Sequence, residues 1–283
     1  MAFDPRQDAQ FEELARTLSP SRRRKNLKPR SAFDSLLDYE QYLLEQGVED
    51  DEDDSLLLRD FLTPGPGLAV GLPDSPPGGM AAWFRYGKGI EFAGAGVSRW
   101  ADQTGNKRHL LQATDTNRPA LQADNSILFD GVDNYLKCAA FTLVQPETVY
   151  LLGKQVTWTV SDHFFDGNAA GGGRVTQVTA SPQINIDAGA GVAANSSLPV
   201  DTYAVIVAVF NGASSLLQVN NTTSTTGDAG AGNMSGFTLG ASGTPGNFGN
   251  IRVKEVIIYP VAHDAATRAE VISYLAKVGN LTI

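Results

Sequence analysis

The chain has 283 residues, of which 42% are hydrophobic and 19% charged, and it contains 29 glycines. This composition favours a β-rich fold with many turns over a helical one, and the net charge of −9 excludes nucleic acid as a partner attracted by charge. A single cysteine, Cys138, excludes an internal disulfide framework. No apolar run approaches the roughly 20 residues that cross a bilayer, so the sequence predicts no membrane insertion.

Residues 1–62 are predicted to form an N-terminal anchoring arm with short helices. Apolar residues recur at helical spacing within 4–18 and again within 31–46, where Gly47 fits the end of a helix. A solvated tail is the alternative interpretation, because basic and acidic runs follow the two helices. If the arm docks on a larger assembly, the predicted contact residues are Phe11, Leu14, Leu18, Arg22, Arg23, Arg24, Lys25, Phe33, Leu36, Leu37 and Tyr42.

A linker rich in proline and glycine is predicted over residues 63–80. The remaining residues, 81–283, are predicted to form one β-sandwich domain. Short runs rich in β-branched residues recur there, and each is bounded by Gly, Asn, Asp or Pro. Short strands with such frequent turn signals are typical of a sandwich or a barrel.

The polarity patterns of individual segments indicate how each one is buried. Residues 183–187 alternate between polar and apolar, which is typical of a strand with one buried face. Residues 205–209 are apolar throughout and fit a strand that is covered on both faces. Residues 264–278 change to helical spacing, and they predict a terminal helix with Asp264 as its N-cap.

The beginning of the predicted sandwich resembles laminin-G-like jelly-roll domains of bacterial and phage proteins. Three elements occur in the family's order: S-x-W-x-D-x-S-G, then N-R-P, then F-D-G-x-D-x-Y-L. Thr104 replaces the more common serine of the first element, and Lys107 stands where a glycine is usual. The matching residues are Ser98, Trp100, Asp102, Thr104, Gly105, Asn106, Leu110, Asn117, Arg118, Pro119, Phe129, Asp130, Gly131, Asp133, Tyr135 and Leu136.

The end of the chain is similar to the same family's closing strands and terminal helix. The residues that fit this pattern are Gly249, Ile251, Glu255, Tyr259, Tyr274 and Leu275. The resemblance covers residues 81–283 and implies an all-β, two-sheet jelly-roll sandwich of the concanavalin or laminin-G type. It also implies a C-terminal helix, and the extended, partly helical arm would precede the sandwich. Because one fold hosts many functions, the resemblance constrains function much less than fold.

Hydrolysis of glycosides requires two carboxyl groups that face each other across a cleft. The nearest approach in the sequence is Asp162 and Asp166 on either side of His163, which a strand end and a turn also explain. The three histidines lack the spacing of zinc ligands, and no serine-nucleophile or phosphate-loop motif occurs. The sequence therefore predicts that the chain is not an enzyme.

Two kinds of ligand site have candidate residues. An aromatic ring that stacks on a sugar and amides that bond its hydroxyls suggest a carbohydrate site; its candidates are Trp158, Trp83, Asp166 and Asn168. Core packing is the alternative for each tryptophan. Calcium prefers hard oxygen ligands, and related domains sometimes carry it; the candidate ligands are Asp102, Asn106, Asp166 and Asn168. Turn hydrogen bonds are the alternative for these residues, and no other cofactor is predicted.

Together these observations predict a structural protein of a tailed-phage particle, of the head-decoration, fibre or tail-fibre type. The arm would bind other virion proteins, the jelly roll would face host-surface glycan, and the chain would form homo-oligomers such as trimers. The start MAFDPRQDAQFEEL lacks signal-peptide features, so the predicted location is the virion after synthesis in the host cytoplasm. The alternatives are a glycan-active hydrolase or its carbohydrate-binding module, and a bacterial adhesion module.

Overall fold

The computed structural model describes residues 75–283 apart from 169, 170, 179, 191, 196 and 197. These residues form a sandwich of two antiparallel sheets, with helix α1, Ala265–Gly279, packed on one outer face. The predicted all-β jelly-roll sandwich with a C-terminal helix is therefore confirmed. The predicted arm (1–62), its assembly contacts and most of the predicted linker (63–80) lie outside the described residues.

The strands are numbered in chain order. They are β1 (Ala82–Phe84), β2 (Ile90–Ala93), β3 (Gly96–Trp100), β4 (Leu110–Leu111), β5 (Ala120–Leu121), β6 (Ile127–Asp130), β7 (Leu136–Lys137), β8 (Glu147–Gln155), β9 (His163–Asp166), β10 (Arg174–Gln177), β11 (Ile184–Asp187), β12 (Val192–Asn195), β13 (Ala204–Phe210), β14 (Ser215–Val219), β15 (Thr225–Gly227), β16 (Thr238–Leu239) and β17 (Asn250–Tyr259). Sheet A has the order β15-β14-β13-β8-β17-β6-β5, with β1 also paired to β17. Sheet B has the order β12-β11-β10-β9-β16-β7-β4-β3-β2.

The central strands of sheet A are covered on both faces. In β8, Val149 and Leu151 enter the core between the two sheets, whereas Tyr150 and Leu152 pack in a second cluster under α1. Strand β13 is buried along its whole length in the same way, which explains why residues 205–209 are apolar throughout. Burial of each Val or Leu side chain stabilises the fold by roughly 1.5–3 kcal/mol.

Helix α1 begins and ends as its sequence predicts. The Asp264 side chain accepts a hydrogen bond of 2.9 Å from the Thr267 amide and so caps the first turn. The helix ends at Asn280, which has a left-handed backbone conformation. Val271 and Leu275 form part of its buried face against sheet A. Within the described part of the chain, no helix is long and apolar enough to cross a membrane.

Candidate functional site

A polar cleft of about 360 Å³ lies on sheet B, over the neighbouring strands β9, β10 and β11. Its lining comes from these strands, from the loop before β9 and from the loop before β17. The lining residues are Val160, Ser161, His163, Arg174, Thr176, Gln177, Val178, Asn185 and Asn247. Most of these side chains are polar and uncharged, so the cleft suits a polar ligand.

Successive side chains along β10 and β11 point to opposite faces of the sheet, and this alternation produces the polar surface. Val175 of β10 lies in the core between the sheets. Its neighbours along the strand therefore point away from the core, and each faces a partner on β11. Arg174 is opposite Asp187, and Thr176 is opposite Asn185.

Both outward pairs are joined by short hydrogen bonds. Nη2 of Arg174 lies 2.5 Å from Oδ2 of Asp187, and the same carboxylate accepts a bond of 2.6 Å from the Gly189 amide. The hydroxyl of Thr176 donates to Oδ1 of Asn185 at 2.5 Å. Oδ1 of Asn185 accepts this bond, and the Nδ2 amino group of the same side chain can donate to a ligand.

His163 lines the cleft as a neutral imidazole with one ring nitrogen that has no partner. Nδ1 lies 2.8 Å from the Ser161 carbonyl oxygen, which can only accept, so Nδ1 carries the proton of the neutral ring. Nε2 is then an acceptor, and it is buried without a partner in the protein. Burial lowers the pKa of His163 to about 4, which keeps the ring uncharged at neutral pH.

The loop before β17 forms one wall of the cleft. The His163 amide donates to the Asn247 carbonyl at 3.0 Å, and His163 forms an isolated parallel bridge with Phe248. This close approach requires a glycine at position 249, because a Cβ atom on Gly249 would lie 2.2 Å from the His163 carbonyl oxygen. Gly249 therefore positions Asn247 beside His163.

Two carboxyl groups flank His163 in the chain, and neither is among the residues that line the cleft. Burial raises the pKa of Asp162 to about 6, although its hydrogen bond with Thr159 acts in the opposite direction. Burial also raises the pKa of Asp166 to about 6. Asp166 is 1% exposed and accepts bonds of 2.8 and 2.9 Å from the Gly167 and Gly243 amides. Its carboxyl is therefore held inside the fold by backbone groups.

The two tryptophans predicted to bind sugar lie outside the cleft lining. Trp83 packs against the cluster under α1, and its Nε1 donates to Oε1 of Glu255 at 2.7 Å. Trp158 is half-buried in the loop between β8 and β9, and its Nε1 is buried without a partner. The same loop supplies Val160 and Ser161 to the cleft. Trp158 is therefore close to the cleft along the chain, whereas Trp83 belongs to the other sheet.

The other predicted ligand residues bond to protein groups. Asp102 accepts from three backbone amides at 3.0 Å each, and Asn106 donates to a backbone carbonyl at 3.0 Å. Asn168 donates to the Cys138 carbonyl at 2.9 Å and accepts from the Thr238 hydroxyl at 3.0 Å. In the part of the chain that the structure describes, no group of three or more His, Cys, Asp or Glu side chains could hold a metal ion. Calcium binding at these residues stays a prediction.

A second cleft of about 310 Å³ lies beside α1. Its lining residues are Arg85, Tyr86, Lys88, Glu255, Tyr274, Lys277 and Val278. The carboxyl of Glu255 is fully buried and accepts from Trp83 Nε1, the Tyr86 amide and the Tyr274 hydroxyl. Glu255 therefore has a structural role that satisfies both of its oxygens.

Sequence reasoning does not identify Arg174, Thr176 and Asn185 as site residues. The signal that could have found them is the alternation within 183–187, which gives β11 one polar face. A polar outer face is also what a solvated strand has. The sheet order and the loop before β17 give that face its concave shape, and neither is encoded in a short motif.

The chain matches no protein-family model and no curated protein. Solved structures match it in fold. A Trypanosoma rangeli sialidase matches with a TM-score of 0.53 and 12% identity over 82% of this chain and 40% of that chain. Trypanosoma rangeli sialidase in complex with 2,3-difluorosialic acid matches with a TM-score of 0.52 and 14% identity over 78% of this chain and 36% of that chain. An arabinofuranosidase in complex with arabinofuranosyl-alpha-1,2-xylobiose has a TM-score of 0.49 and 14% identity over 64% of this chain and 51% of that chain. The chain thus spans less than half the length of the sialidase chains.

These matches correct two predictions made from the sequence. Sialidases are glycan-active enzymes, and the matching structures give no support to a structural protein of a phage particle. The prediction of a tailed-phage structural protein is therefore wrong, and so is the prediction that the chain is not an enzyme. The first prediction rested on the resemblance, the missing signal-peptide features and the arm. The second rested on the absence from the sequence of a clear carboxyl pair and of serine-nucleophile, phosphate-loop and zinc motifs. At 12–14% identity the likeness establishes the sandwich fold.

Proposed function

We propose that the chain is part of a glycan-active hydrolase, in which it forms the carbohydrate-binding region, and that the cleft on sheet B binds an oligosaccharide. The observation that carries this proposal is the cleft lining, which consists mainly of amides and hydroxyls and includes the Nδ2 donor of Asn185. Sugar hydroxyls both donate and accept hydrogen bonds, so they match this lining. The volume of about 360 Å³ is at the lower end of the range for ligand pockets, which suits a short saccharide.

The cleft is also held in place before a ligand arrives. The Thr176–Asn185 and Arg174–Asp187 bonds fix four side chains on the surface of two paired strands. A polar surface that is ordered in advance loses less conformational entropy on binding. This arrangement supports recognition by hydrogen bonds on a rigid sheet.

The shared fold adds support of a different kind. One matching structure is a Trypanosoma rangeli sialidase in complex with sialic acid, with a TM-score of 0.51. This chain covers only 40% of that chain. A module that works beside a separate catalytic region is consistent with such partial coverage.

A second candidate function is hydrolysis at the same cleft. Asp162 favours it, because burial raises its pKa to about 6, a value suited to a general acid. Asp162 lies in the chain between the lining residues Ser161 and His163, and Asp187 of β11 is bonded to the lining residue Arg174. Glycosidases use one protonated and one ionised carboxyl group.

Binding is tested with the full-length chain on a glycan array, followed by calorimetry with the oligosaccharides that bind. Asn185→Ala removes the Nδ2 donor and should lower affinity by about tenfold, the value of one net hydrogen bond. Asn221→Ala, an exposed asparagine in the turn after β14, is the matched control and should leave affinity unchanged. Absence of glycan binding, or equal affinity in Asn185→Ala, would contradict the proposal.

Hydrolysis is tested on the same oligosaccharides and on aryl glycosides. Asp162→Asn should abolish turnover and leave binding intact if Asp162 is the acid. Turnover that persists in Asp162→Asn rejects this candidate.

A further inference from the structure

The turn that joins β1 to β2 brings two positive charges to the cleft beside α1. Arg85 and Lys88 are its first and last residues, and the Lys88 amide donates to the Arg85 carbonyl at 3.1 Å. The Cα atoms of the first and fourth residues of such a turn lie within about 7 Å of each other. Both residues line the cleft. One short segment therefore supplies a guanidinium and an ammonium group to the same cleft.

This turn is held in a fixed position from two sides. Nε1 of Trp100, a core residue, donates to the Arg85 carbonyl at 3.2 Å and to the Lys88 carbonyl at 3.1 Å. The Tyr86 amide donates to Oε2 of Glu255 at 3.1 Å. A segment that is ordered before a ligand arrives loses less conformational entropy on binding.

Positive charge exceeds negative charge in the lining of this cleft. Arg85 and Lys88 alone outnumber Glu255, the one carboxyl group among the lining residues. Lys277, in the last turn of α1, also lines the cleft. Within the described part of the chain, neither Arg85 nor Lys88 forms an ion pair. The cleft therefore has a positive potential in a chain whose net charge is −9.

We propose that the cleft beside α1 is a second binding site and that its ligand carries a phosphate or sulfate group. Arg85 and Lys88 can both donate charge-assisted hydrogen bonds to the oxygens of such a group. Tyr86 and Val278 add apolar surface beside the two cations, against which the rest of a larger ligand can pack. This cleft shares no lining residue with the cleft on sheet B, so the inference does not rest on the proposed function.

The test is a phosphorus NMR titration of the full-length chain with inorganic phosphate and with glucose 6-phosphate, at pH 7.5 and at constant ionic strength in sodium chloride. We expect saturable binding that sulfate displaces and that chloride at the same ionic strength does not. Tighter binding of glucose 6-phosphate would support a sugar-linked group as the ligand, and equal affinities would support the free anion. If neither compound binds saturably, the inference is overturned, and the proposed function of the other cleft is unaffected.

A charge variant tests whether the anion occupies this cleft. Lys88→Gln removes one exposed cation of the turn and should weaken phosphate binding by about tenfold, the value of one hydrogen bond to a charged group. Lys107→Gln is the matched control, because Lys107 is also an exposed lysine and lies outside the cleft lining. Equal affinities of the two variants for phosphate would show attraction by overall charge and not by this cleft, which also overturns the inference.

Discussion

Nε1 of Trp83 donates a hydrogen bond of 2.7 Å to Oε1 of Glu255, which joins β1 to β17 across the sequence. The same buried carboxyl accepts from the Tyr274 hydroxyl of α1 at 2.8 Å and from the Tyr86 amide at 3.1 Å. Burial raises the pKa of Glu255, and these three donors act in the opposite direction. One side chain thus holds two strands and the terminal helix together.

Trp83→Phe should destabilise the protein by about 1–3 kcal/mol, because it removes one of the two donors to Oε1 of the buried Glu255 carboxyl and leaves only the Tyr274 hydroxyl there. Trp158→Phe is the matched control. Its indole Nε1 is buried without a partner, so the same substitution there removes no hydrogen bond. Urea denaturation monitored by circular dichroism measures both effects. Equal losses of stability in the two variants would show that the Trp83–Glu255 bond does not stabilise the fold.

Glu147 lies at the start of β8 on the same face as Val149, which belongs to the core between the sheets. It is fully buried, and neither of its carboxyl oxygens has a hydrogen-bond partner. Burial without compensation raises its pKa from 4.5 to about 8. The side chain is therefore a neutral acid in the folded protein at physiological pH.

This pKa predicts a loss of stability in alkaline solution. Between pH 4.5 and 8 the folded state holds a proton that the unfolded state has released, so the free energy of unfolding falls as pH rises. The fall amounts to about 1.4 kcal/mol per pH unit and is complete above the folded pKa. Glu147→Gln removes the titration, so its unfolding free energy should change less between pH 6 and pH 9.

Glu270→Gln, on the exposed face of α1, serves as the control for this series. Urea titrations at each pH give the unfolding free energy as a function of pH. Its slope should be the same for Glu270→Gln as for the unchanged protein, and smaller for Glu147→Gln. The buried carboxyls that titrate elsewhere contribute equally to all three proteins. Parallel slopes for Glu147→Gln and Glu270→Gln would show that Glu147 is not the group responsible.

The fold was predictable because its signals are local. The apolar run at 205–209, the alternation at 183–187 and the cap at Asp264 each state how one element is buried, and all three agree with the structure. The cleft was less predictable, because its shape depends on which strands become neighbours and on one loop that crosses them. The tryptophans chosen for sugar binding show the difficulty. Residue type alone does not reveal that Trp83 is bonded to a carboxylate 172 residues away.

Cys138 should be unreactive in the folded protein. It is 3% exposed, and its thiol lies 3.2 Å from the Phe237 carbonyl and accepts from the Phe237 amide at 2.9 Å. Burial raises its pKa to about 11, so almost no thiolate forms at neutral pH. We expect no reaction with a thiol reagent such as DTNB in buffer and one equivalent in urea, since the chain has one cysteine. Rapid reaction in buffer would contradict the burial of this residue.

Gly249 should be required for the wall of the cleft. A Cβ atom at this position would lie 2.2 Å from the His163 carbonyl oxygen, a backbone atom that cannot rotate away. Gly249→Ala should therefore cost about 1–3 kcal/mol of stability and displace the loop that carries Asn247. Gly246→Ala in the same loop is the matched control, because the nearest atom to its Cβ would be 3.6 Å away. Thermal denaturation measures the stability difference, and calorimetry with an oligosaccharide that binds measures the affinity of the cleft. If Gly249→Ala keeps the stability and affinity of Gly246→Ala, then the loop does not depend on close contact with β9.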